Sequence, residues 1–172
     1  MINDEELIFV VDQNDNPTQP KTRRETHNHH LWHRVSHIWI INAQKQVLCQ
    51  KRKINKDINP GKWEAHFGGH VTSGESYTDN AIKETKEEIG LEKTARDMIF
   101  FKTHKYDHAR EFQGIFYTRW DGDLKNLALE EEEVECVTWK NIPELKNIFE
   151  EKDTSWVQDE YEKDILLTIM IN

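Results

Sequence analysis

Cysteine is nearly absent from this chain: 172 residues hold two, Cys49 and Cys136, each inside an apolar, strand-like run. Two such thiols exclude a disulfide-stapled fold and are expected to be buried and free. Long apolar runs are missing as well. No segment approaches the ~20 apolar residues of a membrane span, and Met1-Ile2-Asn3-Asp4-Glu5-Glu6 is acidic where a targeting peptide is basic and then apolar. The expectation is a cytoplasmic protein without a membrane partner. Positive charge is scarce too: 23 Lys and Arg stand against 32 Asp and Glu, for a formal net charge of −9. No basic patch exceeds short runs such as Lys51-Arg52-Lys53, which argues against a nucleic-acid polymer as the main partner. A phosphorylated small molecule needs only a few local cations. With no internal repeat and no low-complexity tract, residues 1–172 are expected to form one domain.

The elements alternate between strand and helix patterns. Leu7 to Val11 reads as a strand ended by the turn-rich Asp12-Gln13-Asn14-Asp15-Asn16-Pro17. Val35 to Ile41 and Val47 to Gln50 flank Asn42-Ala43-Gln44-Lys45 as a hairpin, and Pro60-Gly61 breaks the chain before Trp63. A helix is predicted from Ser76, where Ser76-x-x-Asp79 resembles a capping box, to Gly90, a residue suited to the left-handed conformation. Phe100 to Tyr106 and Phe112 to Trp120 read as paired strands, Val134 to Trp139 as a further one. Asn141-Ile142-Pro143-Glu144 has a helix-start pattern, and Trp156 to Ile171 is predicted as a terminal helix. This order supports an α/β or α+β layered domain. The aromatics Trp32, Trp39, Trp63 and Phe67 are expected mainly in the core, with stacking on a base as the alternative.

The chemistry lies in the predicted helix. Glu84, Glu87 and Glu88 stand at i, i+3 and i+4, so their carboxylates leave one helical face as neighbours. Three negative charges held that close repel one another, and a hard cation coordinated by oxygen, Mg²⁺ or Mn²⁺, offsets the repulsion. The rival reading is a solvated acidic face.

The spacing from Gly69 through Glu75, Glu84, Glu87, Glu88, Gly90 and Leu91 resembles the Nudix box, G-x5-E-x7-R-E-U-x-E-E-x-G-U with U apolar. Chance would produce it on the order of once in ten thousand such sequences. The resemblance implies a Nudix fold, a mixed β-sheet between helices, and metal-dependent cleavage of a diphosphate linkage in a nucleoside diphosphate derivative or related small molecule. It implies Glu84, Glu87 and Glu88 as ligands and catalytic groups, the Gly69 carbonyl as a further ligand, and Glu133 as a glutamate that reaches the metal from the acidic run Glu132 to Glu135. Lys83 replaces the family's arginine, whose role is to brace Glu75, and Thr85 replaces an apolar residue; a lysine supplies charge without the bidentate fork.

Outside the box, His33-Arg34, Trp39, Lys51-Arg52, Pro60-Gly61-Lys62-Trp63 and Gly69-His70-Val71 resemble the branch that includes isopentenyl diphosphate isomerase, over about residues 6 to 145. With the box, this places the domain core at about 30–150, an N-terminal strand and a C-terminal helix packing on it. Arg52 and Lys56 line up with residues that hold diphosphate in that branch. His33, His70 and Glu111 line up with its metal ligands, and a third histidine position falls on Thr26, next to His27; a second metal at the His27 to His33 cluster is left open. Gly68 stands where the isomerases carry their catalytic cysteine. Isomerising an allylic double bond needs both an acid and a base, whereas hydrolysis needs a metal-bound water and a carboxylate. Hydrolysis is therefore the first reading, an isomerase and a non-catalytic nucleotide-binding module the alternatives. A homodimer is compatible with all three.

Overall fold

The computed structural model describes residues 4–171. In chain order the elements are β1 (Leu7–Ile8), β2 (Lys21–Thr22), α1 (Arg23–Asn28), β3 (His33–Ile41), β4 (Gln46–Arg52), β5 (Trp63–Glu64), β6 (Phe67–His70), α2 (Tyr77–Ile89), β7 (Ile99–Tyr106), β8 (Glu111–Arg119), β9 (Val134–Asn141), α3 (Ile142–Glu151) and α4 (Glu162–Ile171). Strand β3 is the centre. It runs parallel to β8 from His33↔Glu111 to Ile41↔Arg119 and antiparallel to β6 through Val35↔His70 and His37↔Gly68. Strand β7 adds to the far side of β8. Strand β4 stays with β3 for only two residue pairs before leaving to join β5 and β9.

Helices cover both faces, as the resemblance implied. On one side α2 lies on Ile38, Ile40, Phe67 and Phe116, all at most 2% exposed. Burying each such side chain contributes roughly 1.5–3 kcal/mol. Thr85 joins this layer although it is polar, because its hydroxyl donates to the Ala81 carbonyl at 2.7 Å. Gly114 admits the helix to close range; a Cβ there would stand 2.4 Å from the Tyr77 ring. The helix ends are those expected: Ser76 and Asp79 form a reciprocal capping box, and Gly90 takes the left-handed conformation at φ 70°. On the other side α3 and α4 pack Leu145, Phe149 and Ile165 onto Trp39 and Ile115.

Two predicted elements differ and one unpredicted helix appears. The terminal helix begins at Glu162, not Trp156; Trp156 instead bridges Trp63 and stacks on its ring at 5.7 Å. The first strand is regular only over Leu7–Ile8, its remainder forming single bridges to His33 and Pro17. Helix α1 was not expected. Its signal, Thr22-x-x-Glu25, forms a full capping box but precedes too short a segment for a 3.6-residue pattern to show. Cys49 and Cys136 are free thiols, the first buried and the second half-buried. Trp32, Trp39 and Phe67 are core residues, and Trp63 is partly buried. Among the described residues no helix is long and apolar enough to cross a membrane.

Candidate functional site

Directly paired residues in a sheet share a face, and the face alternates along each strand. The register therefore puts His33, Val35 and His37 of β3, Gly68 and His70 of β6, Glu111 and Gln113 of β8 and Tyr106 of β7 on one face, opposite α2. Where α4 does not cover this face a cleft of about 820 Å³ remains. Its walls include Glu84 and Glu87 of α2, Arg52, Lys56, Glu64 and Glu133. Four segments distant in sequence are thereby brought to one place.

Glu88 sits just beneath the wall, 3% exposed, where it accepts from Gln50 Nε2 at 3.3 Å and from the Gly68 N–H at 3.4 Å. Burial raises its carboxyl well above the usual range, and the charges of Glu84, Glu133 and Glu64 push the same way. Burial also raises Glu84, to about 7; Lys83 opposes the shift while Glu87 and Glu133 add to it. Glu84 accepts from Asn80 Nδ2 at 3.3 Å. Gly69 is needed for this approach, since a Cβ on it would lie 2.8 Å from the Glu84 carboxyl. Glu87 is exposed on the same face. The result is a set of carboxylates whose mutual repulsion the protein leaves largely uncompensated.

Three cations of the cleft, Lys56, Arg52 and Arg23, are paired with acids. Lys56 Nζ lies 2.8 Å from Glu133 Oε1, which ties Glu133 to the site. Arg52 donates to Glu64 Oε2 at 3.2 Å and to the Ile58 carbonyl at 3.0 Å. Arg23, not singled out in the sequence, pairs with Asp57 at 2.7 Å. Lys83 does not brace Glu75. It donates to Thr72 Oγ1 at 3.4 Å, and Glu75 Oε2 is buried without a hydrogen-bond partner. The shorter, single-headed lysine settles on the nearer hydroxyl, where an arginine fork would span further.

Gly68 has φ +142°, and a Cβ built on it would fall 1.8 Å from the Ser36 carbonyl oxygen. The backbone here admits glycine alone. The position matching the isomerase cysteine is thus closed to any side chain.

Two histidine groups line the same face. His27, His33 and His70 offer ligand atoms within 4.8 Å of one another, and His27 Nε2 is 3.0 Å from His70 Nε2. Helix α1 brings His27 into the place that Thr26, itself buried, does not fill. Burial lowers the pKa of His33 to about 4 and that of His70 well below its usual value, so both rings are neutral. His33 Nδ1 meets the Leu31 carbonyl at 2.9 Å, which fixes its proton there and leaves Nε2 as a free lone pair. The rings are inclined by 30° to 79°, so their lone pairs can converge. Glu111 Oε1 is 3.8 Å from His33 Nε2. These residues fit a metal ion.

The second group is His37, His66 and Asp159. His37 and His66 are stacked, 4.0 Å between centroids and 10° from parallel. Lone pairs lie in the ring planes, so one ion cannot meet both. Instead His66 Nε2 pairs with Asp159 Oδ2 at 3.0 Å, and His37 Nδ1 meets the Tyr161 hydroxyl at 2.6 Å. Neither Asp159 nor Glu64 carried a sequence signal, since single acids in loops and short strands are ordinary.

The chain is similar to several known proteins. An uncharacterised Nudix hydrolase of Clostridium acetobutylicum is 27% identical over 158 residues, 87% of this chain and 76% of that one. The isopentenyl-diphosphate Delta-isomerase of Serratia proteamaculans is 26% identical over 151 residues, 82% of this chain and 79% of that one. Among solved structures, a Deinococcus radiodurans protein superposes with a TM-score of 0.72 at 17% identity, covering 95% of this chain and 99% of that chain. A family model described as NUDIX domain matches residues 30–160, and on that match the chain belongs to the Nudix family.

Proposed function

We propose that this protein is a cytoplasmic, single-domain pyrophosphohydrolase that uses Mg²⁺ or Mn²⁺ to cleave a diphosphate linkage in a small molecule. The observation that carries the reading is the convergence of Glu84, Glu88 and Glu133 without cations enough to balance them, beside Arg52 and Lys56. A divalent ion held by Glu84, Glu87, Glu88, Glu133 and the Gly69 carbonyl would offset charge on the phosphate oxygens and lower the pKa of the attacking water. Arg52 and Lys56 are held at the cleft by Glu64 and Glu133, so phosphate oxygens meet guanidinium and ammonium groups already oriented. Glu84 lines the cleft and can take the proton from the attacking water, with Glu88 beneath it as the second candidate. His27, His33, His70 and Glu111 would hold a second ion at the far side of Gly69.

That histidine site favours kinship with the isomerases, but their reaction needs a group at Gly68 that the backbone forbids. The test is phosphate release from a panel of diphosphates with Mg²⁺, with Mn²⁺ and with a chelator. Metal-dependent release is expected; dimethylallyl diphosphate formed from isopentenyl diphosphate would support the isomerase instead.

A further inference from the structure

The carboxylates around α2 serve the metal and the attacking water, and the oxygen that leaves phosphorus needs a proton from elsewhere. In an in-line displacement that oxygen lies on the side of phosphorus away from the water. His66 is built to serve it. Its side chain, like that of Asp159, is 8% exposed. Asp159, at about 2, is ionised, so His66 Nε2 gives its hydrogen to Asp159 Oδ2 at 3.0 Å. The ring is also held flat against His37. The other nitrogen, Nδ1, has no hydrogen-bond partner, yet it is not sealed off: among the described residues, the buried side-chain nitrogens without a partner belong to His33, Trp39 and His104. Since the ring lines the cleft, Nδ1 opens into it. A histidine with one nitrogen on a buried carboxylate and the other facing a substrate is oriented for proton transfer.

Its surroundings bring it to the phosphates. The His66 carbonyl and the Glu88 carboxyl accept from the same amide nitrogen, Gln50 Nε2, at 3.0 and 3.3 Å, so the residue borders the carboxylates that fit the metal. The charges of Asp159, Glu64 and Arg52 reach the imidazole, which in turn is felt by His37 and Glu111. Burial opposes its charged form, but the bond and charge of Asp159 raise its pKa. Burial instead lowers His37 to about 3 and His70 well below its usual value. Of these three cleft histidines, His66 alone is held toward its proton-bearing form.

Resting on the hydrolase reading, we propose that His66 is the general acid of the reaction, its Nδ1–H protonating the leaving phosphate oxygen, and that Asp159 is the positioning residue that holds its imidazole. Water attacks phosphorus and gives a proton to Glu84. The bond from phosphorus to the leaving oxygen breaks, its electron pair stays on that oxygen, and the oxygen takes the proton from His66. Solvent then returns a proton to His66 and accepts the one on Glu84.

The experiment uses the diphosphate of the panel that the wild type hydrolyses fastest with Mg²⁺, and compares the wild type with His66→Ala and His66→Gln. Both variants should lose about 10²-fold in kcat while KM changes little. Added imidazole should restore at least about tenfold to His66→Ala, whereas pyrazole, a ring of the same shape that stays uncharged at neutral pH, should restore nothing. Asp159→Asn keeps the imidazole but removes the charge that raises its pKa, so the fall of kcat on the alkaline side should move to lower pH. If His66→Ala does not fold, His66→Gln still reads the loss, because its amide can donate to Asp159 but has no proton to give up. Near-normal kcat in either folded variant, or rescue by pyrazole as good as by imidazole, would overturn the assignment and leave the hydrolase reading standing. A wild type that releases phosphate from no diphosphate would overturn both.

Discussion

Glu88 and Asp159 are both buried carboxylates beside one cleft, yet their affinities for a proton move in opposite directions. Burial raises Glu88 well above the usual range, and its acidic neighbours reinforce the shift. Burial would raise Asp159 too, but the hydrogen bond and charge of His66 outweigh it and bring the carboxyl down to about 2. Burial also disfavours the charged form of His66, and Asp159 reverses this, so its pKa rises. One end of the cleft therefore balances its charge internally, while the other calls for a cation from outside. The same difference separates the two histidine groups: inclined rings with a free lone pair at His33, stacked rings with their own acid at His66.

Gly68 lies between the two ends, and filling it tests whether they are independent. Gly68→Cys should cost about 4 kcal/mol, from strain at positive φ and the collision with the Ser36 carbonyl, and should yield no isomerase activity. Denaturant unfolding and a dimethylallyl diphosphate assay check this; a stable variant that isomerises would show that the glycine is not the barrier.

Asp159→Asn breaks the balanced end. Losing one partner of a buried pair should cost about 3 kcal/mol. The sign follows from the two shifts. Asp159 contributes stability above its usual 3.8 that fades as pH falls toward 2, and His66 contributes below its usual 6.5 that fades as pH rises past its folded value. The deficit should thus be largest near pH 4 to 6.5; an equal deficit at pH 8 and above would mean that the charge on His66 is not what matters.

At the unbalanced end, Glu87→Gln keeps shape and removes charge, and should lower kcat at least ~10²-fold at fixed Mg²⁺. Near-normal turnover would remove Glu87 from the metal set. The smallest effect is expected for Lys83→Ala. Its bond to Thr72 is long, so folding stability should change by less than about 1 kcal/mol. Lys83 also opposes the upward shift of Glu84, so its loss should change kcat several-fold through that carboxyl. Full activity would show that its charge does not reach the site.

The α2 helix, its caps and the strands around it were legible because local signals agreed: a Ser-x-x-Asp start, a glycine stop and apolar runs bounded by turns. The glutamate spacing was legible because a helix converts i, i+3 and i+4 into adjacency. What escaped depended on distant contacts. Lys83 reads as a brace for Glu75 until the fold places Thr72 closer. His27 was left open in the sequence as the neighbour of Thr26, and it joins a metal-fitting group only because a six-residue helix turns it toward His70. Asp159 lies in a stretch whose helical pattern gives way to the contacts of Trp156 and His66.

The central claim, that the carboxylates of α2 are built for an external cation, is tested most directly by thermal unfolding at pH 8 with and without Mg²⁺, for the wild type and Glu88→Gln. At this pH Glu84, at about 7, is largely ionised. Without metal the variant should melt higher than the wild type, because a buried carboxyl whose proton affinity is raised costs stability at any pH above its usual range and the amide does not; with Mg²⁺ the wild type should gain and the variant should gain much less. A wild type that Mg²⁺ does not stabilise, or an equal gain in both proteins, would contradict the account.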